Sequence, residues 1–207
     1  IYQNKMKIGS VHRKFHQLEN GNFQTEENIS MRITTMGITQ ALHLTTETHL
    51  KPDMSLSSFR FELNSSLFRY TAQGFAGKDS IILFSGLPHA QTKTVLPIKD
   101  IPHISGNIYD AAFRGGMAVN QARNLSVFDP STVSIRKITV TRDADEVIPV
   151  MNRRVLTQKF CTDFMGAKHC AWINKEGEVL RETGLLGLSM EKVSPEKAQE
   201  GFTAGSV

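Results

Sequence analysis

The chain has 207 residues, 40% hydrophobic and 21% charged, which is the balance of a folded globular protein and excludes wholesale disorder. Its formal charge of +4, pI of about 9.1 and mean hydropathy of -0.24 come with Lys and Arg scattered along the chain, without a basic run to track a phosphate backbone, so no nucleic-acid partner is expected. No window reaches the ~18 apolar residues that a membrane-spanning helix needs, so no transmembrane segment is expected.

The opening Ile1-Tyr2-Gln3-Asn4-Lys5 carries no apolar signal core, so an exported protein would be represented here by its mature part. Residues 7–18 alternate imperfectly around Ile8, Val11 and Phe15; Asn20-Gly21 then supplies a hairpin turn, and residues 23–36 resume a Thr- and Ile-rich run. Further strands are expected over 38–50, 57–65, 67–75, 81–84 and 92–98, each bounded by Gly, Pro, Asn or Asp. Parallel strands would need crossover helices between them, so this close spacing reads as an antiparallel meander.

The middle changes character. Pro97, Pro102, Gly106 and Gly115-Gly116 punctuate a helical connector over 103–126, with a short helix at 108–114 and a second at 117–124 that would plug or flank a curved sheet. After Phe128-Asp129-Pro130 the strand pattern returns over 133–141, 147–151, 154–164, 169–174 and 178–182. Ser194-Pro195, a Ser cap followed by Pro at the first helical position, opens a short terminal helix. The fold expected is mainly β: one domain over 1–207, built on a large, strongly curved antiparallel sheet, a half-barrel, with one or two short helices.

Cys161 and Cys170 are the two cysteines. If Met165-Gly166 is a two-residue turn, counting outward places Cys161 opposite Cys170 at a non-hydrogen-bonded site, where Cα atoms stand about 4.5 Å apart. That separation lies within the disulfide range of about 4.4 to 6.8 Å. A disulfide would fit a periplasmic or secreted location, and two reduced thiols are the alternative because the turn register is assumed. With one adjacent histidine, His169, the pair lacks the ligand count of a structural zinc site.

Catalytic signatures are missing. The seven histidines form no HxH or HExxH arrangement; His12 and His16 share one face of a strand, where a half-exposed structural pair is the simpler reading. The acidic loop Asp143-Ala144-Asp145-Glu146 lacks the Gly and twelfth-position Glu of a calcium loop. There is no GxSxG and no GxxxxGK[ST]. No catalytic residue, metal or cofactor is therefore assigned, and the Asn-x-Ser triplets at Asn28, Asn64 and Asn124 receive no role. Trp172 is read as packing a rim or core, with ligand or partner contact as the alternative.

The segment Ala171-Trp172-Ile173-Asn174-Lys175-Glu176-Gly177-Glu178-Val179-Leu180-Arg181-Glu182, followed by Gly187-Leu188-Ser189-Met190 and Ser194-Pro195-Glu196-Lys197-Ala198, carries a resemblance. Together with Lys7-Ile8-Gly9 and Phe128-Asp129-Pro130, it resembles the β-rich region preceding the catalytic core of bacterial secreted transglutaminase-like proteins. The Trp-strand-turn-Gly-strand element is also similar to a hairpin in periplasmic lipoprotein-carrier-like sheets. The resemblance implies a non-catalytic exported module, working beside a papain-like Cys-His-Asp core that this chain does not show. The expected partner is then another protein or the remainder of a longer chain. The alternative is a periplasmic carrier of a lipid or other apolar ligand in the concave face of the sheet. An enzyme of unrecognised type, with His12, His16 or Asp129 as nominal candidates, is the third reading.

Overall fold

The computed structural model describes residues 1–35, 37–164, 166–184, 187–201 and 205–206. After the short strands β1 (Tyr2–Gln3) and β2 (Met6–Lys7), the strands β3 (Gly9–Gln17), β4 (Phe23–Thr35), β5 (Ile38–Leu50), β6 (Leu56–Ser65), β7 (Arg69–Ala76), β8 (Ser80–Leu87) and β9 (Ala90–Pro97) follow. From β3 to β9 each pairs antiparallel with the next. Turn chemistry sets the hairpins. Gly21 takes a positive φ of 81° while Leu18 and Asn22 close the β3–β4 loop, and Ser65 Oγ accepts from the backbone N–H groups of Leu67 and Phe68. That Ser-based turn delays β7 to Arg69. Met36, at the end of the expected 23–36 strand, lies outside the described residues.

The chain then enters the second sheet. It contains β10 (His103–Ile104), α1 (Ile108–Arg114), β11 (Ala122–Asp129), β12 (Ser134–Arg142), β13 (Glu146–Val150), β14 (Arg153–Phe164), β15 (Ala167–Ile173), β16 (Val179–Thr183) and β17 (Leu188–Glu191). The short helix α2 (Pro195–Gln199) and β18 (Gly205–Ser206) complete the described elements. The sheet order is β10-β11-β12-β14-β15-β16-β17-β1-β2, with β13 added to the first half of β14, while β18 runs parallel to β4 on the first sheet. Neither sheet closes on itself. The fold is thus mostly antiparallel β with two short helices, curved in the manner of an open barrel.

The expected helix over 117–124 does not form. Helix α1 stops at Arg114, Gly116 and Asn120 turn left-handed with φ of 62° and 65°, and Asn120 N–H donates to Arg142 O at 2.7 Å. Arg142 N–H donates to Gln121 O at 2.9 Å, so the segment is drawn onto the edge of β12 and becomes the start of β11. A helix of about two turns leaves its first four N–H and last four C=O groups without partners of its own, whereas sheet pairing satisfies such groups.

One hydrophobic cluster draws on both sheets and on α1. Leu50, Phe59, Phe61 and Leu83 come from the first sheet, Val127, Phe128, Phe160 and Ile173 from the second, and Ile108, Ala111 and Ala112 from the helix. Phe59 and Phe128 meet across the two sheets with ring centroids 5.0 Å apart. On the opposite face of β14–β16, a smaller cluster of Ile148, Cys161, Cys170, Trp172 and Leu180 is covered by β13.

Candidate functional site

Strand alternation puts apolar side chains on the inner face, and a few charged residues break the pattern. On β3 the inward series is Val11, Arg13 and Phe15; on β4 it is Phe23, Thr25 and Glu27. Arg13 stands directly opposite Glu27 in the β3–β4 register. From the second sheet Glu182 on β16 faces the same space, and α1 contributes Tyr109 and Asp110. The interior is therefore divided: phenylalanines fill one end, and a polar group occupies the other.

The polar end is not filled. A cleft of about 330 Å³ opens between Val11, Arg13 and Glu27 on one side and Tyr109, Val179 and Glu182 on the other. A second hollow, of about 280 Å³, continues from it past Ser105, Tyr109 and Glu182 to Ile108, Val127, Ile138 and Thr162. The mouth of the first is flanked by β17 and α2, and α2 is pinned there because Lys7 Nζ donates to the carbonyls of Lys197 and Glu200, each at 2.6 Å.

Arg13 is the only cation ion-paired inside the cluster among the described residues, and Asp110 takes it in a salt bridge. Asp110 also accepts from Asn107 Nδ2 at 3.0 Å, and Asn107 Oδ1 accepts from Thr25 Oγ1 at 3.3 Å, which ties the start of α1 to β4. At the other end of the helix Arg114 lies over the Phe23 ring at 4.2 Å. Glu27 and Glu182 make no hydrogen bond and no ion pair within 4.0 Å among the described residues. Burial raises the Glu182 carboxyl to about 7; Arg13 pulls it down, and the negative charges of Glu27 and Asp110 push it up. Burial likewise raises Glu27, against the pull of Arg13 and with the help of Asp110.

Two hydroxyls lie buried in this space. Tyr109 is 7% exposed and Thr162 5% exposed, and neither Tyr109 Oη nor Thr162 Oγ1 has a hydrogen-bond partner among the described residues. Burial, reinforced by the charge of Glu182, keeps the Tyr109 phenol firmly protonated. Buried hydroxyls without a partner are rare in a filled interior.

The residues singled out in the sequence lie elsewhere or at the margin. Cys161 and Cys170 face each other in the β14–β15 register with Cα atoms 4.1 Å apart and sulfurs at 2.03 Å, forming a disulfide on the outer face; Met165 of the expected turn lies outside the described residues. Trp172 is 8% exposed, donates from Nε1 to Glu146 Oε2 at 2.9 Å, and has Lys159 and Arg181 over its ring at 4.9 and 5.8 Å. Its indole is packed by protein rather than presented to the cleft. His12 and His16 are exposed, with His12 at the cleft rim. Asp129 closes its own turn onto Ser131 and pairs with Arg136 at 3.6 Å, so the three nominal catalytic candidates do not converge. The acidic loop is consumed by ion pairs: Asp143 with Lys168, Asp145 with Arg142 and Glu146 with Lys159. No three of the described His, Cys, Asp and Glu residues group as metal ligands.

Arg13, Glu27, Tyr109, Asp110 and Glu182 were not among the sequence candidates. The signal available was a charge in the apolar phase of a strand, Arg13 between Val11 and Phe15. The histidines of β3 occupy the opposite phase.

No family model and no curated protein matches the chain. Solved structures share its fold, two of them as follows. One is a β-barrel-like protein of the domain of unknown function DUF1849 from Brucella abortus, with a TM-score of 0.61 and 12% identity over 87% of this chain and 83% of that one. The other is a DUF1089 family protein from Pseudomonas aeruginosa, with a TM-score of 0.55 and 14% identity over 89% of this chain and 92% of that one. At these identities the likeness is one of fold alone.

Proposed function

We propose that the chain is a non-catalytic, exported binding domain that holds an apolar or amphiphilic ligand between its two sheets. The observation carrying this reading is the unfilled polar end of the interior, where Tyr109 Oη and Thr162 Oγ1 are buried without partners among the described residues, beside open volume. A ligand with an apolar body would lie against Ile108, Val127 and Ile138 and present a polar group to the hydroxyls. Export is supported by the Cys161–Cys170 disulfide, since such bonds persist in oxidising compartments.

A second reading is favoured by the outside of the first sheet. Phe75 stands opposite Ile82, and Ile82 opposite Val95, making an apolar row across β7–β9 with Phe75 52% and Val95 54% exposed. It ends on β9, the last strand of that sheet among the described residues. An exposed apolar row at a sheet edge suits protein contact. This is the surface by which an accessory domain of a transglutaminase-like protein would meet its partner or its own longer chain.

Native mass spectrometry beside a denatured control separates the two. A non-covalent mass excess that disappears on denaturation and proves to be an apolar or amphiphilic molecule is the expected result. A clean protein mass, with titrated amphiphiles also failing to add, would overturn the ligand reading in favour of the accessory domain.

A further inference from the structure

We infer that the junction of the two hollows is a subsite for the ammonium group of a small amphiphilic amine, whose apolar part lies along the hollow lined by Ile108, Val127 and Ile138. The inference rests on the binding-domain reading and names the head group. Three carboxylates converge on one guanidinium, and Asp110 takes it. Glu27 and Glu182 are left with no ion pair or hydrogen bond among the described residues, on opposite sheets and across the cleft from each other. Beside them Tyr109, 93% buried by its 7% exposure, holds an Oη without a partner among the described residues.

An ammonium meets each of these demands. Its charge offsets two carboxylates whose mutual repulsion is strong in a poorly hydrated space. Its N–H groups donate to Glu27, to Glu182 and to the lone pair of Tyr109 Oη. A carboxylate or phosphate head would add a further negative charge to the same space, and an alcohol would leave the two charges unmatched. The remaining charges at the mouth are already paired, Arg181 with Glu191 at 3.2 Å and Lys192 with Glu178, so they do not change the balance. The described His, Cys, Asp and Glu residues do not group as metal ligands, and the hollow beyond Glu182 offers Ile108, Val127 and Ile138 beside Thr162, His169 and the Asp129–Arg136 pair, so an organic cation with an apolar tail fits where a hydrated metal ion does not.

The test is isothermal titration calorimetry at pH 8 with octylamine, 1-octanol, sodium octanoate and n-butylamine. Octylamine is expected to bind at least roughly tenfold more tightly than the other three, because the head and the tail each contribute. Glu182→Gln, which keeps the shape and removes one carboxylate, is expected to weaken octylamine roughly tenfold and leave octanol unchanged. Tyr109→Phe should weaken octylamine by a smaller factor. Octanol or octanoate binding as well as octylamine, or octylamine unaffected by Glu182→Gln, would overturn the ammonium subsite while the binding-domain reading stands. Butylamine binding as well as octylamine would overturn the placement of the tail. Failure of all four to bind would overturn both the subsite and the reading on which it rests.

Discussion

Glu182 sits where its ionisation costs the folded state. It is faced by Arg13 on β3, Glu27 on β4, Tyr109 and Asp110 on α1 and, within its own sheet, by His169 on β15, and burial raises its carboxyl to about 7. A carboxyl raised on folding binds more protons in the folded than in the unfolded state. The contribution is fully favourable below the ordinary value of about 4.5 and is lost as pH rises through about 7. Glu182→Gln is therefore expected to melt with the parent near pH 4.5 and well above it at pH 8. The gain there is on the order of 2 kcal/mol. That corresponds to about 4–8 °C for a chain of this size. Calorimetric melts at the two pH values check this, and an equal difference at both would contradict it. The same substitution weakens the proposed amine site, so stability and binding move in opposite directions at one residue.

At the scale of elements, the β14–β15 hairpin shows how local chemistry decides pairing. Counting outward from a two-residue turn pairs 161 with 170, and the structure has that register from Phe164↔Ala167 to Gln158↔Ile173. The disulfide spans a short separation of 9 residues, so it restricts the unfolded chain only modestly. Replacing both cysteines by alanine is expected to cost about 2–3 kcal/mol in chemical denaturation, the low end for such bonds. Because Trp172 packs in the same small cluster as Cys161 and Cys170, its emission should report the loosening before the far-ultraviolet signal changes. The segment 117–124 is the counter-example. Its residues are compatible with a short helix, and backbone pairing with β12, a partner far along the chain, decides against it.

For the molecule as a whole, the two sheets are joined by one interior. Phe128, fully buried on β11, packs on Phe59 of β6, so truncating it opens a void that belongs to both sheets. Phe128→Ala is expected to cost about 3–5 kcal/mol. Trp172 fluorescence, which reads the second sheet, and far-ultraviolet circular dichroism, which reads both, should still give coincident denaturation midpoints. Separate midpoints would show that the sheets unfold independently.

The strands, their turns and the facing cysteines were legible in the sequence because each depends on neighbours a few residues away: side-chain period, Gly and Asn at positive φ, and a two-residue count outward from a turn. The tertiary structure alone decided which strands share a sheet, that the sheets face each other around α1, and that Arg13, Glu27, Asp110 and Glu182 meet in one cleft. Those residues come from four separate elements spread from the first strands to near the end of the chain. Their proximity arises from the packing of two curved sheets, which no local pattern encodes.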